Sequence, residues 1–366
     1  MPDIGQDAKY AARLLKEGKL VAMPTETVYG LAADAANGKA LERLFEAKGR
    51  PKSHPVIVHI ASAEQLKDWV LNVPPLAEQL AERFWPGPLT LILPKQPHVL
   101  MQVTGGQQTV AIRVPEHPLA LELLREFGGG LAAPSANRFG KLSPTRAQDV
   151  QAEFGDAVSY ILDGGPCRVG IESTILDLSS DHPRILRPGM ISGEDLKPYI
   201  DINTETSPAV HVHQADAPGS GGHKEAASHD QGRVHSVTGT AKQALEVRAP
   251  GTLKSHYSPQ TPLLLVDSRQ LIKRLDDLSQ KSMRVGVLSF RPQIDLGSEQ
   301  RPFLVKWLVG DENPRRYARS LYANLRELDA CRCDWIVVER PPETDNWGGV
   351  RDRLNRASYK DSTEAP

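Results

Sequence analysis

Five stretches of the chain carry residue types that handle anions. "KGRPKSHP" supplies Lys48, Arg50, Lys52 and His54, and "VAIRVP" supplies Arg113. "APSANRFGKLSPT" supplies Ser135, Asn137, Arg138, Lys141 and Ser143. "DGGPCRVGIEST" brings two glycine clusters with Arg168, Ser173 and Thr174, and "ILRPGMIS" adds Arg187. Arginine offers fork-shaped donors, lysine a point charge, and glycine loops let backbone N–H groups approach anionic oxygens, so such a lining suits a polyphosphate. Taken singly, each stretch is more often a solvated charge near a strand end; it is their co-occurrence that points to a cavity. No G-x-x-x-x-G-K-[ST] sequence, kinase motif set, H-E-x-x-H or Cys/His metal spacing occurs. The residues alone lead to an anionic-ligand enzyme or an RNA binder without a standard nucleotide motif.

Such residues converge only if the elements before them end together. Those elements read as strands or helices by pattern. "KLVAMP" is a buried strand stopped by Pro24, and the loop after it, "PTETVYGLAADA", sits where small-molecule sites tend to be built. "PVIVHI", "LTLILP", "TVAIRV" and "TILDL" are strands rich in branched residues. "DAKYAARLLKEG" is a helix closed by Gly18, "HPLALELLREFGGG" a helix ending in glycines, and "SPTRAQDVQAEFG" a helix with Ser143 as cap and Pro144 at its first position. Residues 1–205 thus form an α/β domain with a mixed sheet.

Ser207 to Arg248 is poor in large apolar residues and dense in Gly, Ser, Ala, Asp and His, the composition of a flexible, solvated linker. Its histidines are irregularly spaced and no cysteine accompanies them, which argues against a metal site. From Thr261 a second α/β pattern starts: "PLLLVD", "SRQLIKRLDDLSQ", "RVGVLSF", "NPRRYARSLYANLRELDA", "DWIVVER" and "VRDRLNRASYK" alternate strand and helix, a small doubly wound domain without a glycine fingerprint. The expected boundaries are 1–205, 206–260 and 261–366.

Composition bounds the partners. In 366 residues, 44 basic side chains against 45 acidic give a formal charge of -1, which argues against a surface that is one nucleic-acid footprint. Three cysteines, Cys167, Cys331 and Cys333, cannot build a disulfide framework or a four-cysteine zinc site. No run approaches the roughly 18 apolar residues of a membrane helix, and the start lacks a signal-peptide segment, so a soluble cytoplasmic protein is expected.

In this order, "PTETVYGLAADA", "KGRPKSHPVIVHI", "SANRFGKLSPT", "GIESTILDL" and "ILRPGMIS" closely resemble the YrdC-like threonylcarbamoyl-adenylate synthases, and "APGTLKSHYSPQTPL" resembles the linker motif of that family's two-domain version. The resemblance implies a YrdC-like twisted mixed sheet with a basic cavity and a Rossmann-like C-terminal domain. It implies that L-threonine, bicarbonate and ATP, with magnesium, give threonylcarbamoyl-AMP and pyrophosphate, and that a separate transferase passes the group to tRNA. Carried over by motif, Lys48, Arg50, Ser135 and Asn137 form a tetrad around the nucleotide. Arg50, His54, Thr109, Ser135, Ser143, Arg187 and Tyr257 match ATP-binding positions; Thr27, His59, Arg113, Ala133 and Ser173 match threonine-binding positions. The resemblance further implies that the segment around Tyr257 closes over the nucleotide. His54 stands where the family often has Asn, and the linker reads "PGT" where "PGM" is common, so a different packing contact is expected at Thr252.

Two rival readings remain at this level. A double-stranded RNA module is opposed by the charge of -1 and the absence of aromatic stacking platforms. Carbamoyl-adenylate chemistry in hydrogenase maturation would bring C-x-x-C zinc modules, which are absent from the sequence.

Overall fold

The computed structural model describes residues 2–200, 247–252, 256–293 and 303–358, so most of the expected linker over 206–260 lies outside the described residues. Short branched runs become strands: β1 (Asp3–Gly5), β2 (Val21–Met23), β3 (Gly30–Asp34), β4 (Ile57–His59), β5 (Leu89–Pro94), β6 (Thr109–Arg113), β7 (Leu131–Ala132), β8 (Tyr160–Leu162), β9 (Thr174–Asp177) and β10 (Arg184–Arg187). Among the described residues these form one mixed sheet in the order β1-β8-β2-β3-β7-β4-β6-β5-β9-β10.

Strand alternation decides which side chains reach the site. β4 and β6 are parallel with His59 beside Arg113. Val58 and Ile112 go to the main apolar core, while Ile57 and Ala111 turn to the opposite face with Ile92 and Ile175. On that second face His59 and Arg113 follow the same i, i+2 rule. In β10 the register shifts between Ile185 and Arg187, a bulge that brings Arg187 opposite Ile175 and under cover, whereas Arg184 stays exposed.

The second sheet is wholly parallel: β11 (Leu263–Val266), β12 (Val285–Ser289), β13 (Leu304–Val309) and β14 (Trp335–Glu339), in the order β11-β14-β12-β13. The helix Pro314–Ala330 starts at Asn313, whose side chain accepts the N–H groups of Arg315 and Arg316. It buries Tyr317, Ala318, Leu321, Tyr322, Leu325 and Leu328, a 3-and-4 spacing. That face shares one apolar cluster with Val28, Leu142 and Ile171 of the first sheet's loops and with Val350 and Leu354 of the helix Gly348–Ala357. No helix among the described residues is long and apolar enough to cross a membrane.

The helix expected from Ser143 begins at Ala147, with Arg146 as its cap. Asp149 accepts the N–H groups of Thr145 and Arg146, and the Ser143 hydroxyl is drawn instead to Glu172, 2.5 Å away. A buried carboxylate outcompetes the local cap for that hydroxyl, because a charge-assisted bond is the stronger one.

Candidate functional site

The opening loop is built around Thr25. Its hydroxyl donates to the Val28 carbonyl at 2.6 Å and accepts the N–H groups of Thr27 and Val28, each at 3.2 Å. This turn sends Glu26 and Thr27 inward against β6. Arg113 donates from Nη2 to Glu26 at 2.6 Å, from Nη1 to the Thr27 hydroxyl at 3.0 Å and from Nε to the Gly87 carbonyl at 3.1 Å. Three of its five N–H groups are thus used, leaving one on each terminal nitrogen. Tyr29 is a brace rather than a ligand: its hydroxyl donates to the Gly165 carbonyl at 2.8 Å, tying the turn to the "DGG" loop. His59 lies beside Arg113 with Nδ1 unpartnered. Burial first, and Arg113 second, push its ring down to about 3, so it is neutral at pH 7.

The other end is cationic. The helix Gly38–Lys48 stops at Gly49 in the left-handed conformation (φ 60°), which turns the chain and sends Lys48 and Arg50 inward. Lys48 Nζ donates to the carbonyls of Ser135 and Asn137. Arg50 donates from Nη2 to the Pro55 carbonyl at 2.8 Å, and its Nε has no partner. Arg187 donates to the Ser173 carbonyl at 3.1 Å, the Ser173 hydroxyl at 3.1 Å and the Pro250 carbonyl at 2.9 Å. These cations are 2%, 7% and 3% exposed, and their hydrogen bonds go to carbonyls and one hydroxyl, never to a carboxylate. Burial therefore lowers all three, Arg50 to about 10 and Lys48 well below its ordinary value. Buried cations that hydrogen-bond to no carboxylate are the signature of a site that receives an anion.

Pro250, Gly251, His256 and Tyr257 complete the lining and leave a void of about 40 Å³, room for a few waters. Tyr257 is 1% exposed, has a left-handed backbone (φ 61°), and its hydroxyl has no partner. A Cβ on Gly251 (φ 75°) would stand 2.1 Å from that hydroxyl, so only glycine fits there. Thr252 donates its hydroxyl to the Ala249 carbonyl at 2.9 Å. Glu172 also lines the void. It accepts from Ser143, from the Tyr322 hydroxyl at 3.0 Å and from Arg353 Nε at 2.7 Å, and is held at about 2 against the opposing effect of burial.

Of the residues singled out by sequence, Thr27, Arg50, His59, Arg113, Ala133, Ser135, Arg187 and Tyr257 line the void together. Lys48, Asn137, Ser143 and Ser173 stand directly behind the lining. Asn137 donates to the carbonyls of Arg138 and Lys141 at 2.8 Å each and leaves Oδ1 unpartnered; Ser173 shares a 2.8 Å bond with Thr90. His54 and Thr109 do not reach the void. His54 packs edge-on against Phe139, 5.4 Å between centroids, and Thr109 opens β6. Arg168 is a solvated charge paired with Glu116 at 3.0 Å. Sequence reasoning missed Glu26, Glu172 and His256; the first two were legible as acids inside otherwise apolar or hydroxyl-rich motifs, "PTETVYG" and "GIESTILDL".

Residues 13–189 match the family described as "Telomere recombination", and residues 194–358 match that described as "Threonylcarbamoyl-AMP synthase, C-terminal domain". The chain is 39% identical over 360 residues to the threonylcarbamoyl-AMP synthase of Bacillus subtilis, covering 98% of this chain and 93% of that one. It is 38% identical over 356 residues to the enzyme of the same name from Pyrococcus abyssi, covering 96% and 93%. Among solved structures, P. abyssi Sua5 complexed with L-threonine superposes with a TM-score of 0.79 at 35% identity, covering 98% of this chain and 97% of that one.

Proposed function

Because the chain belongs to the threonylcarbamoyl-AMP synthase family in its two-domain form, we propose that it condenses L-threonine, bicarbonate and ATP into threonylcarbamoyl-AMP, pyrophosphate and water. The observation that carries this reading is the division of one void into a cationic end, Arg50 and Arg187 with Lys48 directly behind them, and a paired end, Arg113 held by Glu26 beside Thr27 and His59. The threonine amine and bicarbonate lose water to give a carbamate. A carbamate oxygen then attacks the α-phosphorus, and the bond to the β-phosphate oxygen breaks as pyrophosphate leaves.

The residues divide the work by charge. The two free N–H groups of Arg113 suit the threonine carboxylate, Thr27 and the unpartnered His59 Nδ1 suit its hydroxyl or amine, and Ala133 limits the room beside them. Arg50 and Arg187 face the phosphates, where charge builds as pyrophosphate departs; Lys48 holds the Ser135–Asn137 loop and raises the local potential. With three small reactants, positioning contributes as much as charge. Glu26 and Glu172 are each paired to an arginine, and no cluster of metal-ligating side chains occurs among the described residues. Magnesium, when it accompanies ATP, would therefore ride on phosphate oxygens and water and add charge neutralisation there.

On this reading Pro250–Gly251 and His256–Tyr257, which line the void, withdraw to admit the nucleotide and return to exclude water. We assign catalysis to residues 1–205, closure to 206–260 and support to 261–366. The burial of Lys48, Arg50 and Arg187 argues against the RNA reading, since a duplex backbone cannot reach them. The product would then serve a separate transferase that modifies tRNA. Pyrophosphate release from ATP and bicarbonate should require threonine and fall when serine replaces it; release independent of the amino acid overturns the assignment.

A further inference from the structure

Glu172 is a carboxylate at the end of the void that otherwise carries cations, and its partners come from far along the chain. The helix Gly348–Ala357 meets the "RPGM" turn at a glycine contact. A Cβ on Gly349 would stand 2.7 Å from the Gly189 carbonyl oxygen, and only without it does the helix sit deep enough to deliver Arg353. The helix Pro314–Ala330 meets Gly170 in the same way, with its Ala318 carbonyl 2.5 Å from where a Cβ would be, and delivers Tyr322. Arg353 donates to the Glu172 carboxylate at 2.7 Å, to the Glu172 backbone carbonyl at 3.2 Å and to the Pro188 carbonyl at 2.9 Å. It is fully buried, and its guanidinium lies 5.1 Å from the Tyr257 ring centroid.

We propose that Arg353 and Tyr322 are positioning residues for the nucleotide end: they neutralise the Glu172 carboxylate and hold it toward the C-terminal helices, so that Arg50 and Arg187 remain unpaired for phosphate. This rests on reading the void as a nucleotide site. Without Arg353, an ionised Glu172 has Arg187 as its alternative cation, and a carboxylate that neutralises Arg187 both removes a phosphate contact and repels the incoming anion. The same network fixes the Ser143 hydroxyl as a donor to Glu172. The C-terminal region thereby acts on the site through charge, without touching substrate.

The test uses the full chain with Arg353→Met, Glu172→Gln and the double variant, and two readouts: calorimetric affinity for inorganic pyrophosphate, and KM for ATP and for threonine in pyrophosphate release. Arg353→Met should weaken pyrophosphate affinity and raise the ATP KM about tenfold, a coupling of about 1.4 kcal/mol, while the threonine KM stays within about twofold. Glu172→Gln leaves the buried Arg353 with Asp352, 2.6 Å away, as its remaining carboxylate, and should lower stability without weakening pyrophosphate affinity. In the double variant, anion affinity and ATP KM should return to within about threefold of wild type, because neither competing carboxylate nor unpaired guanidinium remains. A double variant as impaired as Arg353→Met, or an equal rise in both KM values, makes Arg353 a purely structural residue and overturns the proposal. If Arg353→Met does not fold, Arg353→Gln, alone and with Glu172→Gln, is read by the same comparison. A wild-type protein that binds pyrophosphate but shows no threonine-dependent turnover would sink the functional reading and leave the binding comparison decisive here.

Discussion

Replacing Arg50 with methionine should make the empty protein more stable and at the same time inactive. Burial holds the guanidinium at about 10, below its ordinary range, and at roughly 1.4 kcal/mol per pH unit the difference is about 3 kcal/mol against the charged form in the folded state. Because the folded value is the lower one, this penalty is present in full below about pH 10 and disappears only as pH rises above that toward the ordinary arginine range. Methionine removes the penalty and keeps most of the apolar volume. It forfeits the bond to the Pro55 carbonyl, about 0.5–1.5 kcal/mol, and the contact with the Phe139 ring, 5.7 Å away, about 0.5–1 kcal/mol.

The balance is a gain of about 1–2 kcal/mol, a rise of a few degrees in Tm. Chemical denaturation at pH 7 and scanning calorimetry, each with and without ATP, measure it alongside pyrophosphate release. Wild type should be stabilised by ATP, since a ligand that binds only the folded state adds about 2.7 kcal/mol at a hundredfold excess over Kd. The variant should show neither that response nor turnover. A variant that is destabilised by more than about 1 kcal/mol and still turns over would refute the view that this cation waits unpaired for an anion.

Three further outcomes are expected. Arg113→Lys should raise the threonine KM at least tenfold with little change in the ATP KM, because one ammonium cannot serve Glu26, Thr27 and Gly87 and still leave two aligned donors; a change confined to ATP would place Arg113 on the phosphate side. The His59 and His256 rings are pushed down to about 3 by burial, so stability is complete above about pH 6.5 and falls toward pH 3 by about 1.4 kcal/mol per pH unit for each ring. Denaturation of His256→Phe over that window should show a shallower dependence, and an unchanged slope would contradict a buried neutral ring. Tyr257→Ala should weaken ATP binding or release the adenylate faster; unaltered values for both would remove the closing role of that segment.

The strands were legible because each is a short branched run bounded by a proline, a glycine or a charge, and Ile57–His59, Thr109–Arg113 and Thr174–Asp177 stand where the pattern places them. The strand Leu304–Val309 was passed over, since Lys306 interrupts it and its side chains are only half-covered at the sheet edge. The helix start at Ser143 was misplaced for a tertiary reason: the local cap lost its hydroxyl to Glu172. Site residues carried by contiguous motifs were found, but the partners of Glu172 are 150 and 181 positions away, and no local pattern marks Arg353 as anything but one more arginine on an amphipathic helix. Side-chain pairing across such distances is decided by packing, which a single sequence does not print.

Packing also explains why charge is distributed so unevenly around the void. Glu26 and Glu172 each meet an arginine, Arg113 at 2.6 Å and Arg353 at 2.7 Å, whereas Lys48, Arg50 and Arg187 meet only carbonyls and a hydroxyl. The acids are silenced and the cations are not, so the empty site is left positive in a medium of low polarity, an unfavourable state. Tyr257 adds to it: a bulky residue held at φ 61° with a buried, unpartnered hydroxyl costs about 1–3 kcal/mol in backbone strain alone. Closure over an empty site is thus penalised at both the cations and the closing residue. On the proposed assignment a bound triphosphate relieves the first penalty by neutralising charge and lessens the second by giving the hydroxyl an acceptor. Closure is then most favourable when ATP is present, the state in which excluding water protects the adenylate.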